Sequence, residues 1–310
     1  MPAVPRPVRR PAGLVAAVLG ALLLVAGCSG SGDSAAPAPA EGRTLQVVAT
    51  TNVWGSVVSA IAGPGVEVRS IIQDPAADPH SYESTPTDAA AITGADLVVF
   101  NGGGYDEWVT QTLDSDPQLR SRSIEAFALR GDQAEENEHV WFDPTAVTGV
   151  VNQVVERLSA LEPAQAGALR ERGAAFTARV DDEAARLAAI GQSRPGSRVF
   201  ATEPIAHYLL ATAGVADATP PAFSEAIENE TDPPAGVVAE VGTLVGTRGV
   251  NALVFNPQTE TPITEQLRTA ATGAGVPVVD VTETLPAGQD YLTWVDGTRT
   301  ALARALGAPA

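Results

Sequence analysis

The stretch DPAADPHSYESTP, residues 74–86, separates two patterned parts of the chain and carries His80, one of its three histidines. The apolar run 66–72 before it predicts a strand, and the segment 88–100 after it predicts a helix and another strand. Each proline in the stretch fixes its own φ angle and keeps the preceding residue out of helical geometry. We therefore expect a stiff, extended loop that follows a strand and holds the His80 imidazole in one direction.

Strands and helices alternate along the rest of the chain. Short apolar runs predict strands at 45–50, 66–72, 97–100, 198–202, 252–255 and 276–282. Helical apolar spacing and capping residues predict helices at 53–61, 89–93, 145–161, 163–190, 236–245, 264–273 and 291–306. The segment 219–234, rich in Pro, Glu and Asp, is expected to be a long loop. This alternation is typical of an α/β protein with parallel, doubly wound sheets.

The N-terminal residues have the pattern of an exported lipoprotein. Three arginines precede an apolar segment at 14–26, and VAGC at 25–28 has the form of a lipidation signal. We expect a signal peptide at 1–27, lipidation of Cys28 and a disordered tether at 28–43. Because Cys28 is the only cysteine, it has no disulfide partner within the chain. The alternative is a transmembrane anchor followed by an incidental cysteine.

The charge of the chain limits the partners it can have. Its formal net charge is −18 at pH 7, and none of its basic residues is lysine. Such an acidic protein is a poor ligand for nucleic acid or for anionic lipid headgroups. We expect no nucleic-acid partner.

Few residues can supply metal ligands. The histidines are His80, His139 at the start of HVWFDP, and His207. Glu203 stands between a predicted strand and Pro204, at the kind of strand end where α/β proteins bind ligands. Because they are four residues apart, Glu203 and His207 could share one face of a helix.

A second pair of acids lies near the last predicted strand. Asp280 belongs to the predicted strand 276–282, and Glu283 follows it. Side chains alternate along a strand, so these two are expected to point to opposite faces. Only one of them is therefore expected to enter a given site.

Three segments together resemble one known family. DPHSYESTP at 78–86, NGGGYDEW at 101–108 and HVWFDP at 139–144 are similar to motifs of the metal-binding receptors of bacterial zinc and manganese ABC importers, the zinc-uptake component A-like family. The resemblance covers about 45–306. It implies an N-terminal α/β lobe at 44–162, a linking helix at 163–192 and a similar C-terminal lobe at 193–310, with the ligand site in the cleft between the lobes.

The resemblance also implies a ligand set. Two ligands fall on His80 and His139. The third falls on Glu203, five residues before Tyr208, with His207 as the alternative. The fourth falls on Glu283 in the segment TETL, with Asp280 as the alternative.

The implied function is that of a lipid-anchored, extracytoplasmic receptor without catalytic residues. As a transported ligand it would bind Zn²⁺ or Mn²⁺, and Fe²⁺ remains open. Its partners would be the membrane permease of an ABC importer and membrane lipid through Cys28, and a monomer is expected. The alternatives are a metal-dependent hydrolase and a surface adhesin on the same scaffold.

Overall fold

Two four-stranded parallel sheets form the framework of the protein, whose computed structural model describes residues 43–229 and 231–309. The strands of the described residues are β1 (Leu45–Thr51), β2 (Val66–Ile72), β3 (Leu97–Phe100), β4 (Ser123–Glu125), β5 (Arg198–Ala201), β6 (Ala216–Asp217), β7 (Ala252–Phe255) and β8 (Val278–Asp280). The helices are α1 (Asn52–Ile61), α2 (Pro86–Gly94), α3 (Glu107–Asp114), α4 (Pro117–Ser121), α5 (Pro144–Leu161), α6 (Ala166–Ser193), α7 (His207–Ala213), α8 (Pro221–Glu228), α9 (Ala235–Gly246), α10 (Pro262–Ala274) and α11 (Tyr291–Leu306).

Both sheets have the same strand order. The first sheet runs β2-β1-β3-β4 and the second β6-β5-β7-β8, and every neighbouring pair is parallel. In each sheet the chain reverses its direction of progress between the two central strands. Such a reversal opens a crevice beyond the carboxyl ends of those strands, where α/β proteins bind ligands. The predicted two-lobed α/β fold is confirmed.

The central strands are buried on both faces. Every side chain of β3 and β7 is buried, as expected for parallel strands covered by helices on both sides. One apolar cluster joins the facing sides of the two sheets, and separate clusters fill the outer side of each sheet. The strand ends are thereby held rigidly.

The helix α6 and an aromatic layer connect the two halves. At about 1.5 Å per residue, the 28 residues of α6 extend about 40 Å. Beside it, the rings of Phe142 and Trp294 lie 4.9 Å apart. The Tyr291 hydroxyl donates a hydrogen bond of 2.7 Å to the carbonyl of Trp141. The predicted long helix is confirmed, whereas the lobe boundaries at 44–162, 163–192 and 193–310 stay a prediction.

The sequence-based elements omitted β4, β6, α3 and α4, and they were wrong in three further places. The segment expected to be one long loop contains α8, whose Phe223 and Ile227 are buried at helical spacing. β8 is shorter than expected and ends at Asp280. The helix α2 begins one turn earlier than expected, because Thr85 and Asp88 form a capping box around Pro86.

The residues to which the N-terminal predictions apply lie almost entirely outside the part of the chain that the structure describes. The signal peptide at 1–27, Cys28 and all of the tether except residue 43 lie outside the described residues. Within the described ranges, no helix combines the length and the apolar character that crossing a membrane requires.

Candidate metal centre

A cavity of about 480 Å³ opens between the two sheets, beyond the ends of their strands. Both halves of the chain line it, with residues that include His80, His139, Glu203, Glu228, Gln258 and Thr259. The switch-point crevices of the two sheets thus contribute to one space. Candidate ligands from distant parts of the chain meet there.

Hydrogen bonds and ring packing hold the loop around His80 in place. The backbone N–H of His80 donates to the Asp78 carboxylate at 2.9 Å, which closes a tight turn. On the far side of the cavity, the Gln258 amide donates to the carbonyl of Ala77 at 2.6 Å. The Tyr105 ring packs edge-on against the imidazole, with centroids 5.0 Å apart. The loop is not extended as predicted, because backbone hydrogen bonds close turns at 74–77 and 79–82. Its stiffness stays a prediction.

His139 is buried, with 1% of its surface exposed, and one of its ring nitrogens is already occupied. Its Nδ1 lies 3.1 Å from Oδ1 of Asn137, which also accepts the backbone N–H of His139 at 3.0 Å. The Nδ1–H tautomer satisfies this contact and leaves Nε2 free to bind a metal, as metal-binding histidines require. Asn137 in turn contacts the second half of the chain, because its carbonyl accepts the Tyr208 hydroxyl at 2.7 Å.

Of the two acids near β8, the structure brings only Glu283 into the cluster. Glu283 is 1% exposed, and its Oε1 accepts the Asn256 side-chain N–H at 3.1 Å. Its Oε2 lies 3.3 Å from Nε2 of His80, and no other described residue donates to this oxygen. Asp280 is exposed and faces Arg268 instead, at 3.8 Å.

Of the two alternatives Glu203 and His207, only Glu203 lines the cavity. Glu203 lines the cavity with 3% of its surface exposed. It accepts hydrogen bonds from the Asn256 side chain and, at 2.6 Å, from the Thr259 hydroxyl. His207 is partly exposed, and its Nε2 lies 3.0 Å from a Glu135 carboxylate oxygen. Neither of these two residues lines the cavity.

Three of the four predicted ligands converge on one point. One potential ligand atom each from His80, His139 and Glu283 lies within 4.8 Å of the other two, and we call this group the inner position. Glu203 is not in the group, but the Asn256 side chain hydrogen-bonds both Glu203 and Glu283 and so holds the two carboxylates side by side. The assignment of all four as ligands stays a prediction.

The protonation states follow from burial and from the neighbouring charges. Burial alone would lower the pKa of His80, but the contact with Glu283 and its negative charge outweigh burial and raise the pKa to about 9. Burial, followed by the charge of Glu283, raises the pKa of Glu203 to about 8. Burial, with His80 and His207 nearby, lowers the pKa of His139 well below its ordinary value. Protons therefore occupy part of the site in the absence of a cation.

Sequence reasoning missed the polar residues that support the candidate ligands. Asn256 bridges two carboxylates, and Gln258 accepts the backbone N–H of Glu283 at 2.6 Å. In the first half, Asn101 donates to the carbonyl of Glu138 at 2.8 Å. A signal was present: Asn101 and Asn256 each directly follow a fully apolar central strand, β3 and β7, at the ligand-binding edge.

The fold and the cavity define a two-lobed α/β protein whose candidate ligands lie between its sheets. The sequence matches the ZnuA family, described as zinc-uptake complex component A, periplasmic, over residues 47–305. The chain belongs to this family. Proteins of the family are substrate-binding components of transporters rather than enzymes.

Curated relatives match about half of the chain. It is 27% identical over 163 residues to the manganese ABC transporter substrate-binding lipoprotein PsaA of Streptococcus pneumoniae. The match covers 48% of this chain and 51% of PsaA. It is 32% identical over 145 residues to the manganese-binding lipoprotein MntA of Halalkalibacterium halodurans, 46% of this chain and 47% of that protein. The chain thus spans about half the length of the curated relatives it matches.

Solved structures share the fold over most of the chain. The periplasmic zinc-binding protein TroA of Treponema pallidum superposes with a TM-score of 0.68 at 23% identity, covering 86% of this chain and 100% of TroA. The laminin-binding protein Lmb of Streptococcus agalactiae superposes with a TM-score of 0.71 at 20% identity, covering 84% and 99%. At these identities the likeness shows the fold alone.

Changing Glu283 to Gln is expected to weaken metal binding by at least about 10–100-fold, the loss typical of removing even a supporting residue of a metal site. The amide keeps the shape of the side chain and removes its charge. The matched control is Asp280→Asn, which removes a charge three residues away on the exposed side. Titration with Zn²⁺ and Mn²⁺ measures both variants. Equal losses in the two would remove the basis for choosing Glu283.

Proposed function

We propose that this chain is an extracytoplasmic receptor that binds a divalent transition-metal ion and delivers it to an ABC importer. The observation that carries the proposal is the convergence of His80, His139 and Glu283, from loops of both halves, within 4.8 Å beside a cavity that the two histidines line. Family membership supports it. In this proposal the lobes 44–162 and 193–310 both supply ligands to the ion, and the helix segment 163–192 joins them.

The ligands we propose are His80, His139, Glu203 and Glu283. The two imidazoles bind through neutral nitrogens, and the tautomer of His139 is set by Asn137. The two carboxylates supply negative charge and stand side by side on Asn256. Because these residues come from both halves, a bound ion would also hold the halves together. No group in this set has to carry out chemistry on the ion.

The metal we propose is Mn²⁺ or Zn²⁺, with manganese as the transported ion. Two imidazoles with two carboxylates form a fairly hard ligand set, which suits Mn²⁺ or Fe²⁺ better than a histidine-rich set does. Intrinsic affinity still ranks Zn²⁺ above Mn²⁺, so Zn²⁺ should bind at least as tightly in vitro. Relatives named for manganese, PsaA and MntA, and for iron, MtsA of Streptococcus pyogenes, support the harder metals.

The test combines binding with growth. Purified protein should bind one ion stoichiometrically, and competition between Mn²⁺, Fe²⁺ and Zn²⁺ should give the order of affinity. Deletion of the gene should produce a growth defect in chelator-limited medium that added manganese relieves. Relief by zinc alone would contradict the manganese assignment. Hydrolysis of test esters that is lost on chelation would instead support the alternative, a metal-dependent hydrolase.

Metal affinity is expected to rise with pH. The raised pKa values of His80, about 9, and Glu203, about 8, mean that both groups hold protons in the free protein near neutral pH. Metal binding must release these protons, so each proton released gives about a tenfold gain in affinity per pH unit below the pKa. The gain should level off above about pH 9. Metal titrations from about pH 6 to about pH 9, at intervals of about one pH unit, would show the rise in affinity. An affinity that does not change with pH would contradict the prediction.

We further propose that the protein is held at the membrane through lipidated Cys28 and works there as a monomer beside its permease. The lipidation pattern at 25–28 and the lipoprotein relatives support this location. Changing Cys28 to Ala should release the protein into the soluble fraction or leave its signal peptide uncleaved. Fractionation and the mass of the mature chain measure this. Normal processing with full membrane retention would contradict lipid anchoring.

A further inference from the structure

A second set of potential ligands adjoins the inner position. One potential ligand atom each from Glu138, His139 and Glu228 lies within 4.8 Å of the other two, and we call this group the outer position. Glu138 immediately precedes His139, and Glu228 is the last residue of α8, the helix found where a loop was expected. The two positions share His139, and the other residues of each are different.

The two carboxylates of the outer position lie within the field of the His80 charge, but neither contacts a positively charged side chain of the described residues. Both Glu138 and Glu228 are half-buried, yet no other described residue donates a hydrogen bond or an ion pair to either carboxylate. The neighbouring Glu135 is different, because it pairs with His207 at 3.0 Å. Two carboxylates that converge away from bulk water repel each other, and a cation between them removes that repulsion.

His139 is the third component and itself points to a cation. It is 1% exposed, and only its Nδ1 has a hydrogen-bonding partner among the described residues, namely Asn137. Its Nε2 is therefore a buried nitrogen lone pair that a metal ion can use. Since one lone pair binds one ion, the inner and outer positions can be filled only in turn.

The two positions differ in how far their residues are buried, and this difference bears on which of them an incoming ion reaches first. In the inner position Glu283 is 1% exposed and only His80 is partly accessible, whereas both carboxylates of the outer position are partly accessible and Glu228 lines the cavity. This difference favours the outer position as the first contact of an ion that arrives from solution. Moving inward, it would keep its bond to His139 and exchange the outer carboxylates for His80 and Glu283, so it would never lose all its protein ligands at once.

We infer that Glu138, His139 and Glu228 form a capture position that binds the divalent transition-metal ion before it passes to the inner position. The inference rests on the proposed function and adds to it a route for the ion and two residues that determine the rate of loading. Glu228 acts on how fast the ion arrives, while the inner ligands set how tightly it is finally held.

The first experiment measures loading kinetics in the full protein with Zn²⁺, using rapid mixing under pseudo-first-order conditions. Glu228→Gln should slow association by about tenfold or more, in the range over which local charge changes such rates. The matched control is Glu225→Gln, which removes the same charge from an exposed position on α8. Association of Glu228→Gln at the wild-type rate, or an equal slowing in the control, would overturn the inference.

The second experiment isolates the outer position. A His80→Ala/Glu283→Gln variant keeps Glu138, His139 and Glu228, and it should bind one Co²⁺ weakly, detected by visible absorption. Adding Glu228→Gln should abolish this binding, and adding Glu225→Gln should leave it intact. Binding that is absent, or that is indifferent to Glu228, would overturn the inference. If the wild-type protein bound no metal at all, the proposed function itself would fail, which is a distinct result.

Discussion

Replacing His139 with Ala is expected to weaken metal binding more than about 100-fold, which corresponds to about 3 kcal/mol of binding free energy. Loss of a supporting residue alone costs about 10–100-fold at metal sites, so loss of a ligand that serves both the inner and the outer position should cost more. His80→Ala is expected to behave similarly at equilibrium. Calorimetry or competition with a chelating dye would measure both variants.

The control for this experiment is His207→Ala. This histidine pairs with Glu135 and should leave the affinity near the wild-type value. Because His139 is buried, a thermal melt must show that its variant is folded; His80 is only half-buried and gives a second reading should the first variant be unstable. Full affinity in His80→Ala or in a folded His139→Ala would remove that residue from the site. Comparing Glu203→Gln with His207→Ala in the same assay decides the third ligand.

Replacing Gly191 with Ala is expected to lower the free energy of unfolding by at least about 2 kcal/mol. Gly191 lies near the end of α6, where the helix touches the end of α7. A Cβ at this position would collide with the carbonyl oxygen of Ala213 and lie 3.1 Å from that of Gly214. Both are backbone atoms, so neither can turn aside as a side chain would, and the helices would have to separate.

The matched control is Gly167→Ala on the same helix. A Cβ there meets nothing within 4 Å, so the substitution should be neutral or stabilising by up to about 1 kcal/mol, the difference in helix propensity. Urea unfolding followed by tryptophan fluorescence would measure both variants. For Gly191→Ala we expect a melting temperature lower by roughly 5 °C. A variant as stable as Gly167→Ala would show that α6 and α7 can separate without cost.

Part of the fold and part of the candidate site could be predicted from the sequence, because local rules determine them. The fully apolar runs that became β3 and β7 can be satisfied only by burial on both faces, which favours a parallel sheet covered by helices. The prolines around His80 restrict the backbone whatever lies nearby. The placement of His139 directly before a short apolar segment and Pro144 is likewise a local feature of the chain.

The helix α8 shows why other parts were missed. Its helical signal was present, since Phe223 and Ile227 are four residues apart and Pro221 suits a first turn. The many prolines and acids around it favoured a loop. The burial of those two side chains in the apolar cluster on the outer side of the second sheet outweighs this local preference.

Which acids enter the cavity was decided only by the tertiary structure. Alternation along a strand could not choose between Asp280 and Glu283, because β8 ends at Asp280 and the turn that follows is shaped by contacts with Gln258 and Asn52. Residues far apart in sequence make those contacts. The same reason applies to Glu203, which Asn256 holds, and to Glu228, which has a carboxylate oxygen within 4.8 Å of one of Glu138. A sequence pattern specifies the backbone near each residue, but the meeting of side chains from different loops depends on how the two sheets pack together.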